Sequence, residues 1–74
     1  MIRKRSVVLK GHATSVSLEE EFWTELKRMA AAEAVPLSVL IGRIDDGRAG
    51  ANLSSALRLA VLANLKAGRG SRST

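Results

Sequence analysis

The stretch RSVVLKGHATSVSLEEEFW (Arg5 to Trp23) decides the fold. It begins with β-branched and apolar residues, which are typical of a strand. Side chains alternate between the two faces of a strand, and here the alternation changes from odd to even positions at Gly11. Because Gly often marks a bend or bulge, we predict one bent strand or two short strands across residues 6–18. The residues expected to face inward are Val7, Leu9, Thr14, Val16 and Leu18.

Three helical segments follow this strand region. Residues 19–34 predict a helix, since apolar side chains recur with helical spacing behind an acidic first turn. Pro36 ends that helix because it lacks a backbone N–H. A short second helix is predicted over residues 37–46. Asn52 is a suitable N-cap for a third helix over residues 53–67.

The third helix is apolar on nearly all sides, which indicates burial on nearly all sides. A 74-residue chain buries only about 60% of its unfolded surface, and this one has no Cys for a disulfide. A lone strand would also leave backbone groups unpaired. We therefore expect an intertwined homodimer whose two-stranded antiparallel ribbon takes one strand from each copy. The expected dimer core is Val7, Leu9, Val16, Leu18, Phe22, Leu26, Leu57, Val61 and Leu65.

Charge is segregated along the chain, which carries a net +5. Residues 1–18 hold four basic residues and no acid, residues 19–46 hold seven acids and three bases, and residues 47–74 hold five bases. A chain with basic ends and an acidic middle is compatible with a polyanion bound on one face. It is equally compatible with a solvated surface that carries basic tails.

The order of strand, amphipathic helix and buried helix is typical of the ribbon-helix-helix architecture. The sequence also resembles a family of short ribbon-helix-helix domain proteins found largely in alphaproteobacteria. The resemblance runs from about Lys4 to Leu65 and rests on Arg5 to Trp23, quoted above, and on ID…R…NLSSALRLAVL (Ile44 to Leu62). It implies a mainly α fold with one N-terminal strand region, related to the Arc and methionine repressors, which read DNA with the ribbon in the major groove.

Two features depart from the family pattern. Ala13 stands where family members often carry a basic residue. Residues 37–46 form an inserted short helix relative to the simplest two-helix repressors, so the third helix would correspond to their second. In the alternative alignment, residues 37–46 are that second helix and the third helix is an addition.

Candidate DNA contacts lie in the ribbon and at the start of the third helix. Residues 1–5 are expected to form a basic arm that follows the phosphate backbone, and residues 68–74 a disordered tail. The resemblance implies that the start of the third helix, residues 54–55, clamps a phosphate. Base contacts are predicted for Lys10, His12, Ser15 and Ser17. Phosphate contacts are predicted for Arg3, Lys4, Arg5, Ser54, Ser55 and Arg58.

The expected function is that of a cytoplasmic homodimeric repressor that binds double-stranded DNA, without a cofactor, a metal or a membrane partner. No catalytic triad or phosphate-binding loop is present, so an enzyme is not expected. A protein-interaction module such as an antitoxin is the main alternative, although the tail is short and lacks an apolar anchor. A peripheral membrane role for the third helix is disfavoured by its weakly charged polar face.

Overall fold

The computed structural model describes the backbone of residues 1–72 and the side chains of residues 1–68. The chain begins with two strands, β1 (Ile2–Leu9) and β2 (His12–Glu19), which pair as a two-stranded antiparallel ribbon. This arrangement confirms the predicted order of a ribbon followed by helices. The helices are α1 (Glu20–Ala32), α2 (Leu37–Gly47) and α3 (Leu53–Arg72).

A two-residue turn at Lys10 and Gly11 connects the strands. Both residues have positive φ, 53° and 79° respectively, as a type I′ hairpin turn requires. Leu9 therefore lies opposite His12, and odd positions of β1 pair with even positions of β2. This register is the physical reason for the change from odd to even inward positions in the sequence.

Both strands of the ribbon belong to the same chain, whereas the sequence analysis expected one strand from each of two copies. The turn is the reason for the difference. It reverses the chain within two residues, so β1 supplies the hydrogen-bonding partner that we had assigned to a second copy. We predicted either one bent strand or two short strands over residues 6–18. The structure has two strands, and the first of them begins at Ile2, before the predicted start.

The expected basic arm is part of β1. The antiparallel ladder continues beyond the predicted start at Ser6, with Arg3 opposite Leu18 and Ile2 opposite Glu19. Because β2 extends to Glu19, it offers backbone partners to all of these residues. The basic residues near the N-terminus thus have fixed positions on the ribbon.

A single apolar core lies between the inner face of the ribbon and the three helices. Residues 9, 16 and 18 of the ribbon contribute to it, and α3 contributes at four-residue intervals. Since a buried aliphatic side chain contributes about 1.5–3 kcal/mol, this core is the main source of stability. Its members are Leu9, Val16, Leu18, Leu26, Met29, Ala30, Leu40, Ile41, Leu53, Leu57 and Val61.

The residues expected to form a dimer core lie for the most part inside a single chain. Six of the nine are buried there, and Val7 and Phe22 are half-buried against the same core. α2 and the hairpin provide the cover that we had attributed to a second copy. Leu65 differs, because 40% of its surface is exposed. It lies beyond Val61, the last buried residue of α3 within residues 53–68.

The third helix is longer than expected. It continues past residue 67 as far as Arg72, so most of the predicted tail at residues 68–74 is helical. Extension of a formed helix needs only one further hydrogen bond per residue, and no Pro interrupts this segment. Residues 73–74 of the predicted tail lie outside the described residues.

The turn leads to a test by substitution of glycine. Gly11→Ala should lower the free energy of unfolding by about 1–2 kcal/mol, because an L-residue is strained at positive φ. Gly42→Ala is the control: Gly42 lies inside α2 with open space around its Cα, and Ala there should stabilise the helix by up to about 1 kcal/mol. Urea unfolding followed by circular dichroism measures both. Effects of the same sign would contradict the turn geometry.

Candidate nucleic-acid interface

The ribbon has an outer face that points away from the helices. Side chains directly opposite each other in an antiparallel ladder lie on the same face, and the helix-facing face contains the buried residues at positions 9, 16 and 18. The outer face therefore consists of the alternate residues, which are mostly small or hydroxyl-bearing, and Val8 is 64% exposed there. Its four cross-strand pairs are Ile2 with Glu19, Lys4 with Ser17, Ser6 with Ser15, and Val8 with Ala13.

Two of the four predicted base-contact residues lie on the outer face, namely Ser15 and Ser17. Lys10 does not, because it occupies the turn and forms an ion pair with Asp46 of α2. The hydrogen bond to Asp46 raises the pKa of Lys10. His12 lies opposite Leu9 and shares the helix-facing side of the ribbon, where it is exposed at the end of the sheet. The structure thus does not bring Lys10 or His12 to the outer face.

Lys4 is the basic residue of the outer face, although the sequence analysis assigned it to the phosphate-binding arm. It lies opposite Ser17 and two positions from Ser6. The alternation that places Val7 and Leu9 inward could have found it, because Lys4 occupies an even position of the same strand. Among residues 1–68, only Lys4, Lys27 and Lys66 are basic residues that form no ion pair with a carboxylate.

Arg3 and Arg5 lie on the helix-facing side of the ribbon, and Glu20 at the start of α1 binds both. Arg3 donates to Glu20 Oε2 at 2.8 Å, and Arg5 Nη2 donates to both carboxylate oxygens at 2.7 and 2.8 Å. The Arg5 guanidinium also lies 4.6 Å from the ring centre of Trp23. The hydrogen bond from Arg3 is the largest cause that lowers the pKa of Glu20. These two predicted phosphate ligands are therefore held by a carboxylate.

The start of α3 covers the free edge of β2. The backbone N–H of Ser17 donates to Ser54 Oγ at 3.1 Å, and Arg58 Nη2 donates to the carbonyl oxygen of Ser17 at 3.3 Å. Arg58 Nε also donates to Glu19 Oε1 at 3.0 Å. The pKa of Glu19 is lowered, first by a hydrogen bond with its own backbone and then by Arg58. Two predicted phosphate ligands, Ser54 and Arg58, thus attach α3 to the ribbon.

Ser55, the remaining predicted phosphate ligand, lies exposed in the first turn of α3. Its backbone N–H donates to Asn52 Oδ1 at 3.2 Å, which makes Asn52 the expected N-cap. The first turn of a helix carries partial positive charge from its N–H groups. Ser55 is therefore the residue of the predicted pair at the start of α3 whose side chain and position are open to an anion.

Comparison with known families identifies this arrangement. A family model described as a ribbon-helix-helix domain matches residues 2–65, which include both strands, α1, α2 and most of α3. The chain belongs to this ribbon-helix-helix domain family. No curated protein and no solved structure matches it.

In this ribbon-helix-helix domain, Ser54 and Arg58 of α3 contact the ribbon directly. α2 lies between α1 and α3 in the order of the chain. Within residues 1–72, no helix combines the length and hydropathy needed to cross a lipid bilayer. Over the same part of the chain, no three His, Asp or Glu residues are grouped so that they could hold a metal ion.

The edge contact leads to a test with two neighbouring serines. Ser54→Ala removes the acceptor for the half-buried Ser17 N–H and should lower the free energy of unfolding by about 1 kcal/mol. Ser55→Ala makes the same chemical change one residue later, on an exposed side chain, and should stay within about 0.5 kcal/mol of the parent. Denaturant unfolding compares them. Equal costs would contradict the contact between α3 and β2.

Proposed function

We propose that this ribbon-helix-helix domain is a sequence-specific DNA-binding regulator that acts as a homodimeric repressor in the cytoplasm. The observation that carries the proposal is the uncovered outer face of the ribbon, which presents a lysine without an ion pair together with hydroxyl and apolar side chains. The major groove of B-DNA admits a two-stranded ribbon. A hairpin within one chain supplies a ribbon of that width. The proposed role is binding and requires no catalytic group.

The outer face offers a small set of groups for base recognition. Lys4 can donate to the O6 and N7 acceptors of guanine, and the hydroxyls of Ser15 and Ser17 can reach a base edge or a phosphate. Val8 and Ala13 add apolar contact that suits the thymine methyl group. We assign phosphate contacts to Ser55 and the first turn of α3, with Ser54 and Arg58 beside the ribbon as further ligands. Arg3 and Arg5 act as phosphate ligands only when they are released from Glu20.

A second copy is proposed to cover the exposed leucines of α3. Leu59 and Leu62 lie on the side of α3 opposite its buried residues, and Leu65 follows beyond the core. Exposed apolar surface of this kind often marks an interaction site. Two ribbons related by a two-fold axis would then read a palindromic site. This interface replaces the ribbon-mediated dimer that the sequence led us to expect.

A protein-interaction module such as an antitoxin is the second candidate. The observation in its favour is an apolar groove between α2 and α3, next to the exposed leucines. A helix from a different protein would fit the same surface, and the outer face of the ribbon would then have no nucleic-acid partner. The groove is lined by Ile44, Gly47, Arg48, Ala51, Ala56, Leu59 and Ala60.

DNA binding is tested with Lys4→Gln. Loss of a lysine that contacts guanine should weaken binding to a promoter fragment by about 1–3 kcal/mol, that is, by about 5- to 150-fold. Lys27→Gln is the control, because Lys27 is also exposed and unpaired but lies on α1. Fluorescence anisotropy at several salt concentrations measures both. The absence of binding by the parent protein at low salt would overturn the proposal.

The dimer is tested with Leu62→Glu. A charge in the proposed interface should convert a dimer into single chains at micromolar concentration, with an unchanged circular dichroism spectrum. Val39→Glu is the matched control, since Val39 on α2 is 43% exposed and Leu62 is 49% exposed. Sedimentation equilibrium measures the mass. A parent protein that sediments as a single chain, or a Leu62→Glu variant that remains dimeric, would contradict this interface.

A further inference from the structure

The basic end of the sequence is largely neutralised in the folded chain. Residues 1–18 hold four basic residues and no acid, but three of those four form ion pairs with carboxylates from later in the chain. Glu20 alone engages two of them, Arg3 and Arg5. A phosphate that approaches the open end of the ribbon therefore meets arginines already bound to a carboxylate.

Glu20 is fixed at this position by its place in the fold. It is the first residue of α1 and directly follows β2, so its carboxylate lies beside the strand that carries Arg3 and Arg5. Its negative charge is favourable at a helix N-terminus. The pKa of Glu20 is lowered, first by the hydrogen bond from Arg3, which favours the charged carboxylate.

Arg5 depends on Glu20 more strongly than Arg3 does. Its Nε is buried and has no hydrogen-bond partner among the described residues, which is an unfavourable state for a charged donor. The two hydrogen bonds from Nη2 to Glu20 and the contact with Trp23 hold the guanidinium in this position. Without the Glu20 carboxylate, the Arg5 side chain would favour an orientation towards solvent or towards an anion.

We propose that Glu20 is a specificity-determining residue that competes with DNA phosphate for Arg3 and Arg5. Phosphate contacts carry no sequence information, but they supply most of the non-specific affinity. A carboxylate that occupies the two arginines reduces that affinity. The outer face, where Lys4 is free, is unaffected by Glu20 and keeps its contribution to recognition. This inference rests on the proposed DNA-binding function.

The test is Glu20→Gln, measured by anisotropy with a random-sequence 30-base-pair duplex across a range of salt concentrations. The variant should bind this duplex about five- to tenfold more tightly than the parent at low salt. The slope of log K against log salt should become steeper by about 0.9 for each additional phosphate that the freed arginines neutralise. Discrimination between a specific site and the random duplex should fall by a similar factor.

Glu33→Gln is the matched control. Glu33 is as exposed as Glu20, at 45% and 44%, and it pairs with Arg43 at the other end of α1. Both substitutions raise the net charge by one positive unit, so a general charge effect would appear equally in both variants. Glu33→Gln should bind within twofold of the parent. An equal increase in affinity in the two variants, or no increase with Glu20→Gln, would overturn the proposal.

Arg3→Gln provides a second measurement that does not depend on the stability of the Glu20 variant. In the parent protein it should change affinity for the random duplex less than twofold, because Arg3 is already occupied. In the Glu20→Gln background it should remove part of the increase in affinity, because Arg5 remains free there. A large loss in the parent would overturn the proposal.

If no variant binds duplex DNA, the proposed function itself fails. Binding by the parent without tighter binding by Glu20→Gln rejects only the role of Glu20.

Discussion

The two-residue turn at Lys10 and Gly11 is the constraint on which the rest of the structure depends. It sets Leu9 opposite His12, and every other cross-strand pair follows from that register. The apolar residues of the ribbon then face the helices, whereas Lys4 and the hydroxyl side chains face outward. A shift of one residue would exchange the two faces completely. The core and the candidate interface are therefore two consequences of one turn.

α3 contacts both the apolar core and the ribbon that carries the candidate interface. One side of this helix fills the core with Leu53, Leu57 and Val61, and its first turn holds the edge of β2 through Ser54 and Arg58. An uncovered strand edge can pair with another chain, so this contact also limits where a second copy can add to β2. The leucines on the far side of α3 remain as the apolar surface that the chain does not cover itself.

Much of the fold was predictable from local patterns. The change of alternation at Gly11 gave the inward residues of both strands. Helical spacing with Pro36 and Asn52 gave the three helices, although α3 continues past its predicted end. The source of the second strand was not predictable from alternation, because a neighbouring segment and a second copy satisfy the same pattern. The ion pairs of Lys10 and Arg58 join residues 36 and 39 positions apart, so they depend on tertiary packing that no local pattern contains. Sequence analysis therefore identified the outer serines but misplaced the basic residues around them.

The origin of the two ribbon strands can be measured directly by isotope-filtered nuclear Overhauser spectroscopy on a mixture of ¹³C-labelled and unlabelled chains. Lys4 and Ser17 form a pair whose Cα atoms are expected to lie about 4.5 Å apart, so their Hα protons should give a strong cross-peak. This cross-peak is expected only within a chain, even where the protein is dimeric. A cross-peak between labelled and unlabelled chains for this pair would show a ribbon built from two copies and would contradict the account.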